Sequence, residues 1–249
     1  MKNILILLSH PDDEIVGSCI FIRRKIMEGH KIFLLFLTNG VIGRDDMWFW
    51  KKKKYDFFLE KRMFELKKSM ELLKIKKYFV QNIPTRTLRN KIKESYLMIK
   101  SIIKEKQIDI LLTPAYEGGH QDHDVTNFIA SKFKKNCKVL EFSEYHFNNK
   151  KISSNCFIEL QGNEVFINLN NFERDFKKKA IQIYESEKNN VNYIEYKQEC
   201  FRPIVNYNYF RPPHSGTLFY RRFSFFSWHP RVDSTLPEDI CRKFKNSAL

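Results

Sequence analysis

Short apolar runs alternating with helix-length segments constrain this chain more than any other feature. Ile4-Leu5-Ile6-Leu7-Leu8 is five aliphatics with a turn directly behind it. Such a run reads as a strand buried on both faces rather than as a helix. Lys31 to Leu37, Ile108 to Thr113 and Lys138 to Phe142 repeat the pattern, and a shorter strand is expected at 78–80. Helices are expected between them, over about 14–28, 56–75, 89–106 and 123–134, the first closed by Gly29. Strands separated by helices of this length imply right-handed βαβ units and a mainly parallel sheet. The expected fold is therefore a Rossmann-like α/β sheet flanked by helices.

At 249 residues, one domain is the simplest count, with residues 1–145 as its core. Residues 146–249 change character and read as an elaboration on that core. Cys156 to Leu160 and Val165 to Leu169 are expected to pair as a β-hairpin, followed by a helix over about 171–187. Residues 201–231 are rich in aromatics, arginine and proline, suiting either a lid over a site or a tail that completes the core. His214 and His229, within it, read as packing or hydrogen-bonding residues.

Two polar turns interrupt the apolar pattern. Ser9-His10-Pro11-Asp12-Asp13-Glu14 follows the first strand, and Gly118-Gly119-His120-Gln121-Asp122-His123-Asp124 follows the strand at 108–113. Alone, the first reads equally well as a proline-initiated helix with an acidic cap set against the helix dipole. Loops at the carboxyl ends of parallel strands share one edge of the sheet, however, so the two turns can converge. Together they offer imidazole and carboxylate ligands suited to zinc, with carboxylates to spare for acid–base work.

Taken as a pair, these turns resemble the PIG-L/LmbE-type family of zinc-dependent N-acetylglucosaminyl deacetylases. Thr38-Asn39-Gly40, Arg62-Met63-Phe64-Glu65-Leu66 and Tyr116-Glu117-Gly118-Gly119 reinforce the resemblance, which covers roughly residues 1–145. It implies that His10, Asp13 and His123 hold Zn2+, with Fe2+ as the other candidate, and that Asp12 is the general base. It further implies that His120 supplies an oxyanion donor or protonates the leaving amine, and that Asp122 fixes a histidine tautomer. Glu14 fits a helix-start carboxylate better than a ligand. Arg44, Arg86 and Tyr116 are the expected substrate-binding residues, with Arg89 behind them, while Arg62 and Glu65 suit a structural pair. The sequence departs from the family pattern at Gln121, where proline is common, and at Gly118, where some relatives carry a tyrosine that assists the oxyanion. Tyr116 is the expected stand-in for that tyrosine.

Lysine and arginine outnumber aspartate and glutamate by 44 to 29, a formal charge of +15. That balance favours an anionic partner, although solvated helix faces account for much of it. Five widely spaced cysteines without a Cys-x-x-Cys motif suit reduced thiols and a cytoplasmic setting. The apolar stretch after Lys2 is too short for a signal-peptide core or a membrane span. The expected activity is metal-dependent removal of acetyl from an N-acetylated amino sugar, on a small or carrier-linked, anionic molecule and with no nucleic-acid partner. Two other readings stay open: the same site acting on another amide (an antibiotic or thiol conjugate), or a non-enzymatic basic module that binds nucleic acid or glycan. Oligomeric state is not legible.

Overall fold

The computed structural model describes all 249 residues. Its parallel strands are β1 (Asn3–Leu8), β2 (Lys31–Phe36), β3 (Tyr78–Val80), β4 (Ile110–Pro114) and β5 (Lys138–Phe142). A hairpin, β6 (Tyr145–Asn148) and β7 (Lys151–Ser154), stands apart. β8 (Val165–Asn168) and β9 (Gln198–Pro203) join the main sheet, whose order is β3-β2-β1-β4-β5-β9-β8. The last two strands run antiparallel to their neighbours. The helices are α1 (Asp13–Val16), α2 (Cys19–Met27), α3 (Phe49–Lys52), α4 (Tyr55–Leu73), α5 (Ile92–Lys106), α6 (Gln121–Ser131), α7 (Asn171–Ile181) and α8 (Pro237–Asn246).

The unbroken apolar character of β1 follows from its central place. Ile4, Ile6 and Leu8 face a core built with α2, α4 and α7, while Leu5 and Leu7 face a second core built with α5, α6 and α8. Alternate side chains therefore both meet protein, and neither face tolerates polar residues.

The helix expected over 14–28 is instead two, broken at Gly17-Ser18. A Cβ on Gly17 would stand 2.3 Å from the Phe142 ring, so only glycine admits this approach. Beyond the break, the Glu199 carboxylate accepts the Ile20 and Phe21 N–H groups (2.9–3.1 Å) and so caps α2 from across the fold. Lys177, from α7, balances that charge at 2.8 Å, with both side chains fully buried. At its other end α2 closes as expected, with Gly29 left-handed (φ 80°) and His30 N–H returned to the Lys25 carbonyl.

The two segments expected to pair at 156–169 do not pair with each other. Val165–Asn168 pairs with Gln198–Pro203, which in turn lies along β5. The chain's local hairpin lies earlier, where Asn149 (φ 50°) and Lys150 (φ 61°) form the two-residue left-handed turn that such a ribbon requires. The helix expected over 171–187 stops at Ile181, followed by a 3-10 turn at Glu185–Glu187.

Candidate metal centre

The strand order reverses between β1 and β4, so the turns after them open side by side at the carboxyl edge. Asp13 is the hub. Its Oδ2 accepts the Ser9 and His10 N–H groups at 2.7 and 2.9 Å. Its Oδ1 lies 3.5 Å from His10 Nδ1 and 3.4 Å from Nε2 of His123, on the first turn of α6. One ligand atom from each of the three residues lies within 4.8 Å of the other two. Ligands about 2.1 Å from a tetrahedral zinc stand about 3.4 Å apart, the spacing Asp13 makes with both histidines.

The imidazoles are oriented for lone-pair donation. His10 Nε2 lies 3.0 Å from Asp122 Oδ2, so that nitrogen carries the proton in neutral His10 and Nδ1 is left toward Asp13. Asp122 is itself held by the Thr85 hydroxyl (3.0 Å) and the Arg86 N–H (2.6 Å). His123 Nε2 is buried with no hydrogen-bond partner.

Two buried carboxylates set the charge at this centre. Burial by itself would lower His10, but the Asp13 and Asp122 carboxylates outweigh burial and raise it to about 10. Burial opposes ionisation of Asp13, yet His123 and His10 hold it well below the usual carboxylate range. The cluster thus concentrates negative charge that a cation or a protonated imidazole can balance.

Asp12 occupies a strained conformation (φ 135°, ψ −27°) that residues with a side chain rarely adopt. Several bonds fix it. Its N–H donates to Glu14 Oε2 at 3.0 Å, and its carbonyl accepts the Ile15 and Val16 N–H groups. Glu14, fully buried, is tied by the Ser69 and Tyr184 hydroxyls and so serves as a brace, not a ligand. Arg62 Nη1 donates to the Pro11 carbonyl at 3.2 Å, pairs with Glu187 and sits 3.7 Å from Glu65. A Cβ on Gly40 would stand 2.5 Å from that guanidinium. Burial and the adjacent Asp13 charge push the Asp12 carboxyl well above the ordinary carboxylate range, with Arg62 opposing them.

His120 caps α6. Its Nδ1 accepts the Asp122 N–H at 3.0 Å, so the ring proton of the neutral form lies on Nε2. Burial, with His10 nearby (ring centroids 4.4 Å apart), holds it well below its ordinary range and therefore neutral.

The side chains of the other expected site residues are engaged with protein groups, although the Arg86 N–H itself holds Asp122. Arg44 pairs with Asp56 over the Tyr55 ring, at the surface. The Arg86 guanidinium is spent on the carbonyls of Pro230 (2.8 Å) and Arg231 (2.6 Å). The Tyr116 hydroxyl donates to the Arg211 carbonyl at 2.8 Å, within the α6/α8 core. The Gln121 side chain, where relatives commonly carry proline, bonds Arg89, Asp233 and Thr235, which pins the C-terminal segment to the site.

Two neighbours went unread in the sequence. The Tyr145 ring lies 5.5 Å from that of His123, and Glu144 Oε2 lies 3.7 Å from His123 Nε2 with both carboxylate oxygens unpartnered. Neither belongs to a motif. The available signal was position, since both follow β5, the next strand end along the same edge.

Glu117, in the turn after β4, carries a testable consequence. Burial raises it to about 7, only partly offset by the Ile158 N–H (2.7 Å) and the Ser143 hydroxyl (2.8 Å). Between an unfolded value near 4.5 and that figure, the folded chain keeps a proton that the unfolded chain has released. Stability should therefore fall as pH rises from about 4.5 to about 7, by on the order of 3 kcal/mol, and then level off. Glu117→Gln should flatten that part of the curve. Thermal melts at pH 5 and pH 8 with equal offsets in both proteins would refute this.

The fold and the cluster together define a Rossmann-like α/β protein with a candidate mononuclear metal site at its carboxyl edge. The sequence profile of the PIG-L family, described as GlcNAc-PI de-N-acetylase, matches residues 5–134, and the chain belongs to that family. Comparison with curated protein sequences gives no match. Among solved structures, the zinc-inhibited form of teicoplanin deacetylase Orf2 is similar (TM-score 0.63, 15% identity, covering 83% of this chain and 99% of that one). The N,N'-diacetylchitobiose deacetylase of Pyrococcus horikoshii is similar too (TM-score 0.57, 17% identity, covering 85% and 84%). So is GalB, the 4-carboxy-2-hydroxymuconate hydratase of Pseudomonas putida KT2440 (TM-score 0.56, 15% identity, covering 84% and 99%). At these identities the likeness concerns the fold.

Proposed function

We propose that the chain is a metal-dependent hydrolase that removes acetyl from an N-acetylated amino sugar, on an anionic conjugate. One observation carries this reading: Asp13 Oδ1 faces both His10 Nδ1 and His123 Nε2, and the partly covered Asp12 carboxyl is the next residue along the turn. Family membership and the similarity to teicoplanin and diacetylchitobiose deacetylases support the same reaction class. The donor set fits zinc: two imidazoles and one carboxylate, with Nε2 of His123 buried and otherwise without a hydrogen-bond partner. Zn2+ bound there would supply a lowered water pKa and polarise the substrate carbonyl.

The chain's own groups do the rest. Asp12 accepts the proton as water oxygen bonds to the acetyl carbon, its carboxyl being free of hydrogen bonds to the turn. His120 Nε2–H donates to the oxygen on which negative charge gathers, and being neutral it acts there as a hydrogen-bond donor. When the C–N bond breaks, the proton held by Asp12 passes to the nitrogen, leaving acetate and a free amine. Asp122 keeps His10 in one tautomer throughout.

Acetate release from nucleotide-, lipid- and inositol-linked N-acetylglucosamine is the direct test. It should stop with a chelator and return with Zn2+ or Fe2+. Metal-loaded protein that leaves every N-acetylhexosamine conjugate intact would defeat the sugar assignment and favour another amide, such as an antibiotic or thiol conjugate. Because His10 is protonated in the metal-free cluster, loading should expel about one proton, and apparent affinity should weaken as pH falls. Titration calorimetry in buffers of different ionisation enthalpy reads this. Identical heats would show His10 to be neutral beforehand.

A further inference from the structure

The loop after β2 and the segment after β9 meet through the half-buried Trp48 and His229, with exposed aromatics on both sides. Trp48 and Trp50 stack at 4.8 Å with their planes 8° apart, and Phe49 meets Trp50 edge-on at 4.7 Å. Trp48 then reaches across to Trp228 (6.4 Å) and His229 (5.7 Å). Phe223, Phe225 and Phe226, all exposed, precede Trp228 in the same segment. These side chains are not core residues that missed full burial: Phe225 is 88% exposed, Phe49 77% and Trp228 69%. Lys51 to Lys54 follow Trp50 directly, and Arg222 and Arg231 flank the second segment. The segment is also fastened to the candidate metal centre. Arg86 holds the Pro230 and Arg231 carbonyls through its guanidinium and Asp122 through its N–H, while Phe219 N–H donates to the Gly118 carbonyl at 2.9 Å.

We propose that this aromatic–lysine rim docks the protein on the surface of an anionic lipid bilayer, bringing the edge of the metal centre to the headgroup layer. Phenylalanine has no polar atom, so at such exposure it gains only by entering an apolar phase. Tryptophan favours the water–lipid boundary, where its ring is apolar and its N–H stays wet. Each lysine near an anionic leaflet strengthens partitioning by about fivefold, and four stand in sequence here. A second copy of the chain is the poorer occupant, because pairing would set two tetralysine runs of +15 chains against one another. Single-stranded nucleic acid stacks its bases on ring faces, and the one closely stacked pair here, Trp48 and Trp50, offers only its outer faces. No helix here is long and apolar enough to cross a membrane, so the contact is peripheral.

The test uses the full chain and needs no turnover, so it stands or falls separately from the deacetylase reading. Sedimentation with vesicles of phosphatidylcholine mixed with phosphatidylglycerol should pellet the protein, pure phosphatidylcholine should pellet far less, and added salt should weaken binding. Phe49→Ser with Phe225→Ser and Trp228→Ser should cut partitioning by about tenfold or more, and Lys51 to Lys54 changed to Glu should remove the preference for anionic vesicles. An unchanged thermal melt would show that both variants fold. Failure to pellet with either vesicle, or equal pelleting by the aromatic variant, overturns the proposal. So does dimerisation through this face by light scattering, or tighter binding of poly-uridylate than of vesicles.

Discussion

Asp12→Asn is expected to load metal as the unaltered chain does while acetate release falls by about 10²–10⁴-fold. Asparagine keeps the shape of the side chain and tolerates the left-handed region, so the strained turn at φ 135° should survive. Asp13 keeps its bonds to the Ser9 and His10 N–H groups, so the hub of the centre stays in place. What is lost is the one basic oxygen on the turn that is not committed to holding it. Asp13→Asn should do the reverse and lose metal first, since the only carboxylate shared by both imidazoles is neutralised. Metal content by emission spectrometry alongside turnover separates the two variants. If Asp12→Asn turned over within a few-fold of the unaltered enzyme at full metal content, Asp12 would not be the base.

Lys177→Met is expected to destabilise the fold by about 3–5 kcal/mol, a large share of the roughly 5–15 kcal/mol that holds a domain folded. Methionine fills the space of the lysine stem, so the loss is electrostatic. Glu199 would remain fully buried, with its charge met only by the Ile20 and Phe21 N–H groups. Replacing both partners, as in Lys177→Met with Glu199→Gln, should recover much of the loss, because no uncompensated charge then remains inside. Urea unfolding of the three proteins is the measurement. A single-variant loss below about 1 kcal/mol would mean that water or backbone movement relieves the charge. The consequence reaches the site, since Glu199 fixes the start of α2, immediately beyond the turn that carries Asp12 and Asp13.

The core was legible because its rules are local. Five aliphatics with a turn behind them have one comfortable place, the middle of a covered parallel sheet, and β1 takes it. Gly29 closes α2 because a left-handed residue was needed there. The histidine and aspartate turns were legible as a pair, since parallel strands bring their carboxyl ends to one edge. Less legible were features that depend on residues far along the chain. Nothing near Gly17 signals that Phe142 will press against it, and nothing near Cys19 signals a cap from Glu199. Val165–Asn168 alternates well enough to pair with its neighbour in sequence, yet β9 offered the longer edge beside β5. Arg86 and Tyr116 carry groups suited to a substrate, but backbone carbonyls at 211 and 230–231 take them.

Periodicity and strand polarity act over a few residues, so the parallel strands and the edge where the two polar turns meet could be read locally, while the choice of His10, Asp13 and His123 came from the resemblance to a known family. Only the tertiary structure decided which nitrogen of His10 faces Asp13, that Glu144 and Tyr145 stand beside His123, and that two aromatic segments far apart in the chain form one surface. Each of those depends on which distant backbone groups and rings the folded chain brings together. Such pairings are set by the packing of the whole chain, and no local pattern encodes them.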